Sequence, residues 1–239
     1  MSFWISLILG AVVLFFFAVI AIPFCVSLIE KQRVKFLAKS DLSQAPSSST
    51  YFAAVNRMVA EMDFQGCGFY AHPERSRIYA DYAALWVAPD ADALLLVRGG
   101  KIAKINVRRT LLISEFDDGT FLQSHDEFDC PDFGNTVLEN ILLKANPREL
   151  YDSHKQLLLD SGKTSRRINA DEALEFLEHS LQSRFRGMAR TGFMKSIDSG
   201  ETLFRYTVRG AWKVAWNIFQ TESAEKNRDR LSLKRPGEK

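Results

Sequence analysis

The spacing of apolar and polar positions changes character several times along the chain. From Phe3 to Ile29 there is almost no alternation: 23 of 27 residues are apolar, the interruptions are Ser6, Gly10, Pro23 and Ser27, and no charge precedes Glu30. At ~1.5 Å per residue this run covers the ~30 Å hydrocarbon layer with room for tilt, so it predicts a single transmembrane anchor within residues 1–30. A secretory signal peptide fits less well, because no basic segment precedes the run and no small-x-small cleavage site closes it. Lys31, Arg33, Lys35 and Lys39 follow at once. The positive-inside rule then expects the N-terminus outside and the C-terminal domain in the cytoplasm.

After this basic juxtamembrane segment comes SDLSQAPSSST at 40–50, the composition of a flexible linker. Phe52, Val55, Met58, Val59 and Met62 recur at helical spacing, so a helix is expected from Thr50 to about Asp63. Short apolar runs separated by turn signals come next. The turns are read at Pro89 to Asp92, at Gly99-Gly100 and at Asp117-Asp118-Gly119. Strands are expected over 68–71, 77–87, 93–98, 101–108, 110–116 and 120–124. Ala103, Ile105 and Val107 alternate with more polar neighbours, which predicts an antiparallel meander with one wetter face.

Two helices then have well-marked starts. Asn146-Pro147-Arg148-Glu149 offers an N-cap, a proline at the first helical position and a capping-box carboxylate, and the helix should run to Gly162. Asn169-Ala170-Asp171-Glu172 repeats the pattern ahead of Leu174, Leu177, Leu181, Phe185 and Met188. A hairpin is expected over 192–197 and 202–207. A last helix from about Val208 should place Val208, Ala211, Trp212, Val214, Ala215, Ile218 and Phe219 on one broad face. The predicted fold class is therefore α+β: an N-terminal transmembrane helix, a meander sheet with flanking helices, and a C-terminal helix-hairpin-helix. The expected segments are an anchor at 1–30, a basic juxtamembrane segment and linker at 31–50, an α+β cytoplasmic domain at 51–168, a helix-hairpin-amphipathic helix at 169–222 and a charged tail at 223–239.

Composition excludes a collagen, a disulfide-stapled miniprotein and a wholly disordered chain: of 239 residues 46% are hydrophobic, with thirteen Gly and three Cys. Cys25 lies in the apolar run. Cys67 and Cys130 have no CxxC partner, so neither a disulfide nor a metal site is expected from them. Charge is unevenly spread, with 14 Lys/Arg against 22 Asp/Glu over 40–183 and 13 against 6 over 184–239. The basic end either packs partly on the acidic body or faces an anionic partner such as lipid headgroups.

Motifs for chemistry are sparse. Gly162-Lys163-Thr164 ends like a phosphate-binding loop, but Leu157 stands where that motif needs glycine and a helix precedes it. No GxSxG, HExxH or GxGxxG is present. The densest polar cluster is Asp117, Asp118, His125, Asp126, Glu127, Asp129, Cys130 and Asp132. Carboxylates with an imidazole could hold a divalent cation, but the spacing matches no EF-hand and an acidic solvated loop is the preferred reading. His154 on an apolar helical face reads as a packed, hydrogen-bonded histidine. Arg184, Arg186 and Arg190 ahead of a hairpin and an aromatic helix suggest a winged-helix nucleic-acid binder. The six-residue loop from Lys163 to Ile168 and the lack of any excess of Asn or Gln beside the arginines weigh against it.

The N-terminal anchor, the stretch Ile113-Ser114-Glu115-Phe116-Asp117-Asp118-Gly119-Thr120, the start Asn146-Pro147-Arg148-Glu149-Leu150 and the stretch Phe204-Arg205-Tyr206-Thr207-Val208-Arg209-Gly210-Ala211 together resemble uncharacterised bacterial membrane-anchored proteins. That resemblance implies no activity and favours a bacterial inner membrane. The functional expectation is a single-pass membrane-anchored cytoplasmic interaction or scaffold protein with no catalytic, cofactor or metal residues. Its contact residues are expected to be Lys31, Arg33, Lys35, Lys39, Arg209, Trp212, Lys213, Trp216 and Phe219. The expected partners are a lipid bilayer and another membrane or cytoplasmic protein. The alternatives are a metal-dependent enzyme using the His125–Asp132 loop and a membrane-tethered winged-helix-like nucleic-acid binder.

Overall fold

The computed structural model describes residues 2–29, 31–34, 38–39, 49–71, 79–102, 105–126 and 137–216. The chain forms two compact units, residues 33–187 and residues 1–32 with 188–239.

The N-terminal apolar run overturns the first expectation. It consists of α1 (Ser2–Phe16), a π-helical segment (Phe17–Ala21) and α2 (Ile22–Ile29). Among the described residues no helix is long and apolar enough to cross a membrane. The expected transmembrane anchor, and with it the single-pass inner-membrane location and cytoplasmic topology, is therefore corrected. Apolar composition was continuous over the run, but the α-helical hydrogen-bond register is not, because the π-helical turns interrupt it.

The unit 33–187 is built on a seven-stranded sheet in sequential order: β2 (Ala38–Lys39), β3 (Gln65–Ala71), β4 (Tyr79–Val87), β5 (Leu94–Ile102), β6 (Ile105–Glu115), β7 (Phe121–His125) and β8 (Val137–Ile141). Pairing is antiparallel from β2 to β7, as the turn signals required. The last pair differs. β8 runs parallel to β7, from Phe121↔Val137 to His125↔Ile141, so the sheet is mixed and not a pure meander. The turn at 88–93 closes with Ala88 N–H donating to the Ala93 carbonyl, and the Asp117–Gly119 turn with Phe116 N–H donating to Thr120. The Gly99-Gly100 turn does not form: both glycines lie inside β5, and the reversal falls between Ile102 and Ile105. A Cβ on Gly99 would stand 2.5 Å from the ring of Phe52, so this glycine is where the sheet admits a buried aromatic side chain.

Helices cover both faces of the sheet, and strand segments 111–115 and 121–125 are buried on both; the alternation at 102–108 that led to the expected wetter face lies outside the residues whose side chains are described. On one face Tyr82, Ala84, Leu95, Val97 and Leu112 pack under α3 (Ser49–Ala60), with Phe52, Val55 and Val59, and under Leu150 of α4 (Pro147–Ser161). On the other Leu85, Leu94, Leu96, Leu111, Ile113 and Phe121 pack against Ile168, Ala173, Phe176 and Leu177. Burying an apolar side chain of this size contributes about 1.5–3 kcal/mol. The start of α4 is as predicted: the Asn146 side chain accepts from Arg148 and Glu149 N–H, the Glu149 carboxylate accepts from Asn146 N–H, and Gly162 closes the helix at φ 63°. Asn169 makes no such cap. A single 3₁₀ turn (Ala170–Glu172) intervenes before α5 (Ala173–Arg190).

The second unit contains α1, α2 and a three-stranded sheet of order β1-β10-β9, where β1 is Lys31–Arg33, β9 is Met194–Ser196 and β10 is Leu203–Tyr206. A closing helix α6 follows at 208–216. The predicted hairpin and last helix are thus present, and the hairpin has gained a strand from the N-terminal segment.

Candidate functional site

Two places concentrate unusual chemistry: a polar chain inside the unit 33–187 and the surface of the other unit.

Strand alternation puts Leu112, Ser114, Leu122 and Ser124 on the face that meets α4, and Glu115, Gln123 and Glu139 on the opposite face. His154 descends from α4 between the two serines, with Nε2 2.8 Å from Ser114 Oγ and Nδ1 2.8 Å from Ser124 Oγ. Ser114 Oγ donates to the Asp92 carbonyl at 2.6 Å, so its one proton is committed and it must accept from His154 Nε2–H. Nδ1 is then an acceptor, and Ser124 Oγ donates to it. Asn140 Nδ2 donates in turn to Ser124 and to Ser153, each at 3.1 Å. Every proton in the chain from Asn140 to Asp92 has one consistent direction. Burial pushes the imidazole down to about 3, with the nearby Lys155 ammonium adding to the effect, so the ring is neutral.

A serine beside a histidine is the pairing of an activated nucleophile. Here Ser114, Ser124 and His154 are each 0% exposed, and no substrate reaches them. The network's role is to fix α4 on β6, β7 and β8, the packed histidine that the sequence pattern suggested.

On the opposite face, Arg184 of α5 is buried and donates through Nη1 to Gln123 Oε1 and through Nη2 to Glu139 Oε1, both at 3.2 Å. The arginine that opened the nucleic-acid reading is thus spent inside the fold. The acidic cluster is also dispersed. Asp118 is held by Lys163 at 2.7 Å and by Thr120, which keeps its carboxyl well below the usual range. Lys163, read above as the end of a failed phosphate loop, lies over the Phe116 ring at 5.1 Å. His125 is buried in β7. Asp126 accepts from Thr110 N–H at 2.8 Å, and burial raises its pKa. Among the described residues no three His, Cys, Asp or Glu side chains are placed to hold a metal. Glu127, Asp129, Cys130 and Asp132 lie outside the described residues.

The predicted contact residues belong mainly to the second unit, whose local structure explains their positions. Asp198 accepts from Thr202 and Leu203 N–H and from Thr202 Oγ1, which fixes the hairpin turn and lowers the carboxyl pKa. Thr207 caps α6: its Oγ1 accepts from Gly210 N–H at 3.1 Å, and its carbonyl accepts from Ala211 N–H. A Cβ on Gly210 would lie 1.9 Å from the Phe193 carbonyl oxygen, so α6 can start here only with glycine. Ala211, Val214 and Ala215 form the buried stripe of α6. Val208 and Trp212, predicted on the same face, are exposed, as is Trp216 at the boundary of that face, the two tryptophans to 51% and 37%.

Trp212 meets the edge of Phe24 in α2 with centroids 6.2 Å apart, a contact that no local pattern announces. The Arg209 guanidinium lies over the Phe193 ring at 4.4 Å. Lys213 is exposed between the tryptophans, and Lys31 and Arg33 are exposed at the two ends of β1. Lys39 is in β2 of the other sheet. Lys35 and Phe219 lie outside the described residues. Of the exposed large apolar side chains among the described residues, all but Leu138, Ile141 and Leu159 belong to this second unit. Compared with protein-family models, with curated proteins and with solved structures, the chain matches none.

Proposed function

We propose that the protein is an interaction module in which the unit 1–32 with 188–239 docks a partner protein and the unit 33–187 is the rigid body it carries. The observation that supports this reading is the distribution of exposed apolar surface. Trp4, Leu14, Phe17, Ile29, Trp212 and Trp216 all stand open on one unit, while among the described residues the other exposes only Leu138, Ile141 and Leu159 of its large apolar side chains. An apolar surface of that kind is uncommon on a free monomer and is characteristic of association. Tryptophan and arginine, here Trp212, Trp216 and Arg209, are also the residue types enriched at binding hot spots. Lys31, Arg190, Lys195, Arg205, Arg209 and Lys213 against Asp198 and Glu201 give the described part of the unit a cationic rim, so the partner is expected to present apolar side chains ringed by carboxylates.

Photo-cross-linking in the full chain tests this. A benzophenone side chain at position 212 or 216 should yield a discrete intermolecular adduct that is lost with Lys213→Glu. The same probe at position 159, an exposed leucine of the other unit, should give none. Equal adduct yields from all three positions would refute the assignment.

A further inference from the structure

We propose that the unit 33–187 carries a second, independent site, a pocket that binds a small basic amino acid. The pocket is about 290 Å³ and lies between the segment leading into α5 and one face of that helix. Its volume is at the lower end of small-molecule sites, which suits a metabolite and not a macromolecule.

The two walls are held at a fixed separation. Arg166 on the segment donates through Nη1 to Glu115 Oε2 at 3.0 Å, and His179 Nε2 on α5 lies 3.4 Å from Glu115 Oε1. One carboxylate at the end of β6 therefore ties both walls. Backbone bonds add to this: Arg166 N–H donates to the Glu115 carbonyl, and Ile168 N–H to that of Ala91. Such a pocket exists before its ligand arrives, so little binding energy is lost to ordering it. Ile168 and Phe176, both buried in the core, supply an apolar lining.

The groups left for a ligand define its chemistry. Arg166 and His179 are committed to Glu115. Arg167, Glu172 and Glu175 also line the pocket, are exposed, and make no side-chain hydrogen bond or ion pair among the described residues; Asp90 is the acid in the field of Arg167. A planar guanidinium is suited to a ligand carboxylate. The two glutamates are three residues apart, Glu172 at the end of the 3₁₀ turn and Glu175 in the first turn of α5, both lining the pocket, and suit two cationic nitrogens. The uncommitted charge is one positive and two negative. The complementary ligand carries one carboxylate, two cationic groups and an aliphatic stem for the apolar lining, the formula of lysine, ornithine or arginine.

This site and the docking surface belong to different units, and either proposal can fail without the other. Titration calorimetry on the full chain with L-arginine and L-lysine should show one saturable site with a dissociation constant below about 1 mM. Agmatine, which lacks the carboxylate, and norleucine, which lacks the second cation, should each bind at least about tenfold more weakly. Arg167→Ala should abolish the preference for L-arginine over agmatine, and Glu175→Gln should reduce the preference for L-lysine over norleucine, both with unchanged melting temperature. The proposal is overturned if neither basic amino acid saturates the protein, if agmatine or norleucine binds as well, or if the folded variants bind like the parent.

Discussion

His154 Nε2 and Ser114 Oγ, forty residues apart in the chain, are 2.8 Å apart in the fold, and the serine's own proton points away to Asp92. The imidazole must therefore be the donor in this pair, which it can be while neutral. A protonated ring would need an acceptor at Nδ1 as well, where Ser124 donates.

Stability should consequently depend on pH. The His154 pKa falls from the ordinary 6.5 to about 3 on folding, so below 6.5 the unfolded chain takes up a proton that the folded chain refuses. The contribution is complete above about pH 6.5 and is lost as pH falls towards 3, at a cost of about 2 kcal/mol between pH 7.5 and 5. Urea unfolding at the two pH values measures it. His154→Gln should lose most of the difference, and an equal difference in both proteins would contradict this account.

Removing the Ser114 hydroxyl alone should be costlier than removing it together with its donor imidazole. Ser114→Ala leaves His154 Nε2–H buried without its acceptor, a loss of about 1–3 kcal/mol. Ser114→Ala with His154→Leu should recover part of this, a non-additivity that a double-mutant cycle in urea reads directly.

Gly99 and Phe52 form a steric pair. Gly99→Ala places a methyl 2.5 Å from the ring and should cost about 1–3 kcal/mol. Adding Phe52→Leu, itself destabilising, should cost less in the Gly99→Ala background than in the parent. Thermal melts of the four proteins decide this, and strict additivity would refute the contact.

Arg184→Met breaks a buried ion pair and leaves Glu139, itself only 20% exposed in its side chain, without that partner, for an expected loss of about 3 kcal/mol. Glu139→Gln in addition should restore a good part of it. If Arg184→Met is neutral in chemical denaturation, the pair contributes nothing.

The two asparagines that look alike in sequence should behave differently. Asn146→Ala removes two side-chain cap bonds and should cost about 1 kcal/mol, whereas Asn169→Ala, where no cap bond exists, should cost a few tenths. Equal effects in urea titrations would contradict the difference between the two helix starts.

Features set by residues close in sequence are legible in it. The cap of α4, the turns at 88–93 and 117–119, and the hairpin around Asp198 are determined by residues within one turn of each other, and all are present. The failures need information from elsewhere in the fold. Gly99-Gly100 has the composition of a turn, but the ring of Phe52, distant in sequence, takes the space beside it and keeps it in a strand. Val137–Ile141 carries no mark of its partner's direction, so the parallel pairing with β7 could not be foreseen. Over Phe17–Ala21 apolar composition is indifferent to which helical register forms. In α6 the division of the expected apolar face is not local: Ala211, Val214 and Ala215 are buried while Val208 and Trp212 of the same face stay open. The pocket was invisible because Arg167 and Glu175 come together only across a bend.

Neighbouring residues on β6 and β7 serve opposite faces: Ser114 and Ser124 supply the sealed chain around His154, while Glu115 and Gln123 serve Arg166, His179 and Arg184. Length along these strands is therefore constrained more tightly than side-chain identity. Inserting or deleting one residue between Leu111 and Glu115 would turn a carboxylate into the dry chamber under α4 and carry a hydroxyl to where a guanidinium waits, two errors from one event. Homologues of this chain should accordingly tolerate drift in spelling along β6 and β7, while gaps accumulate in the turns that join them.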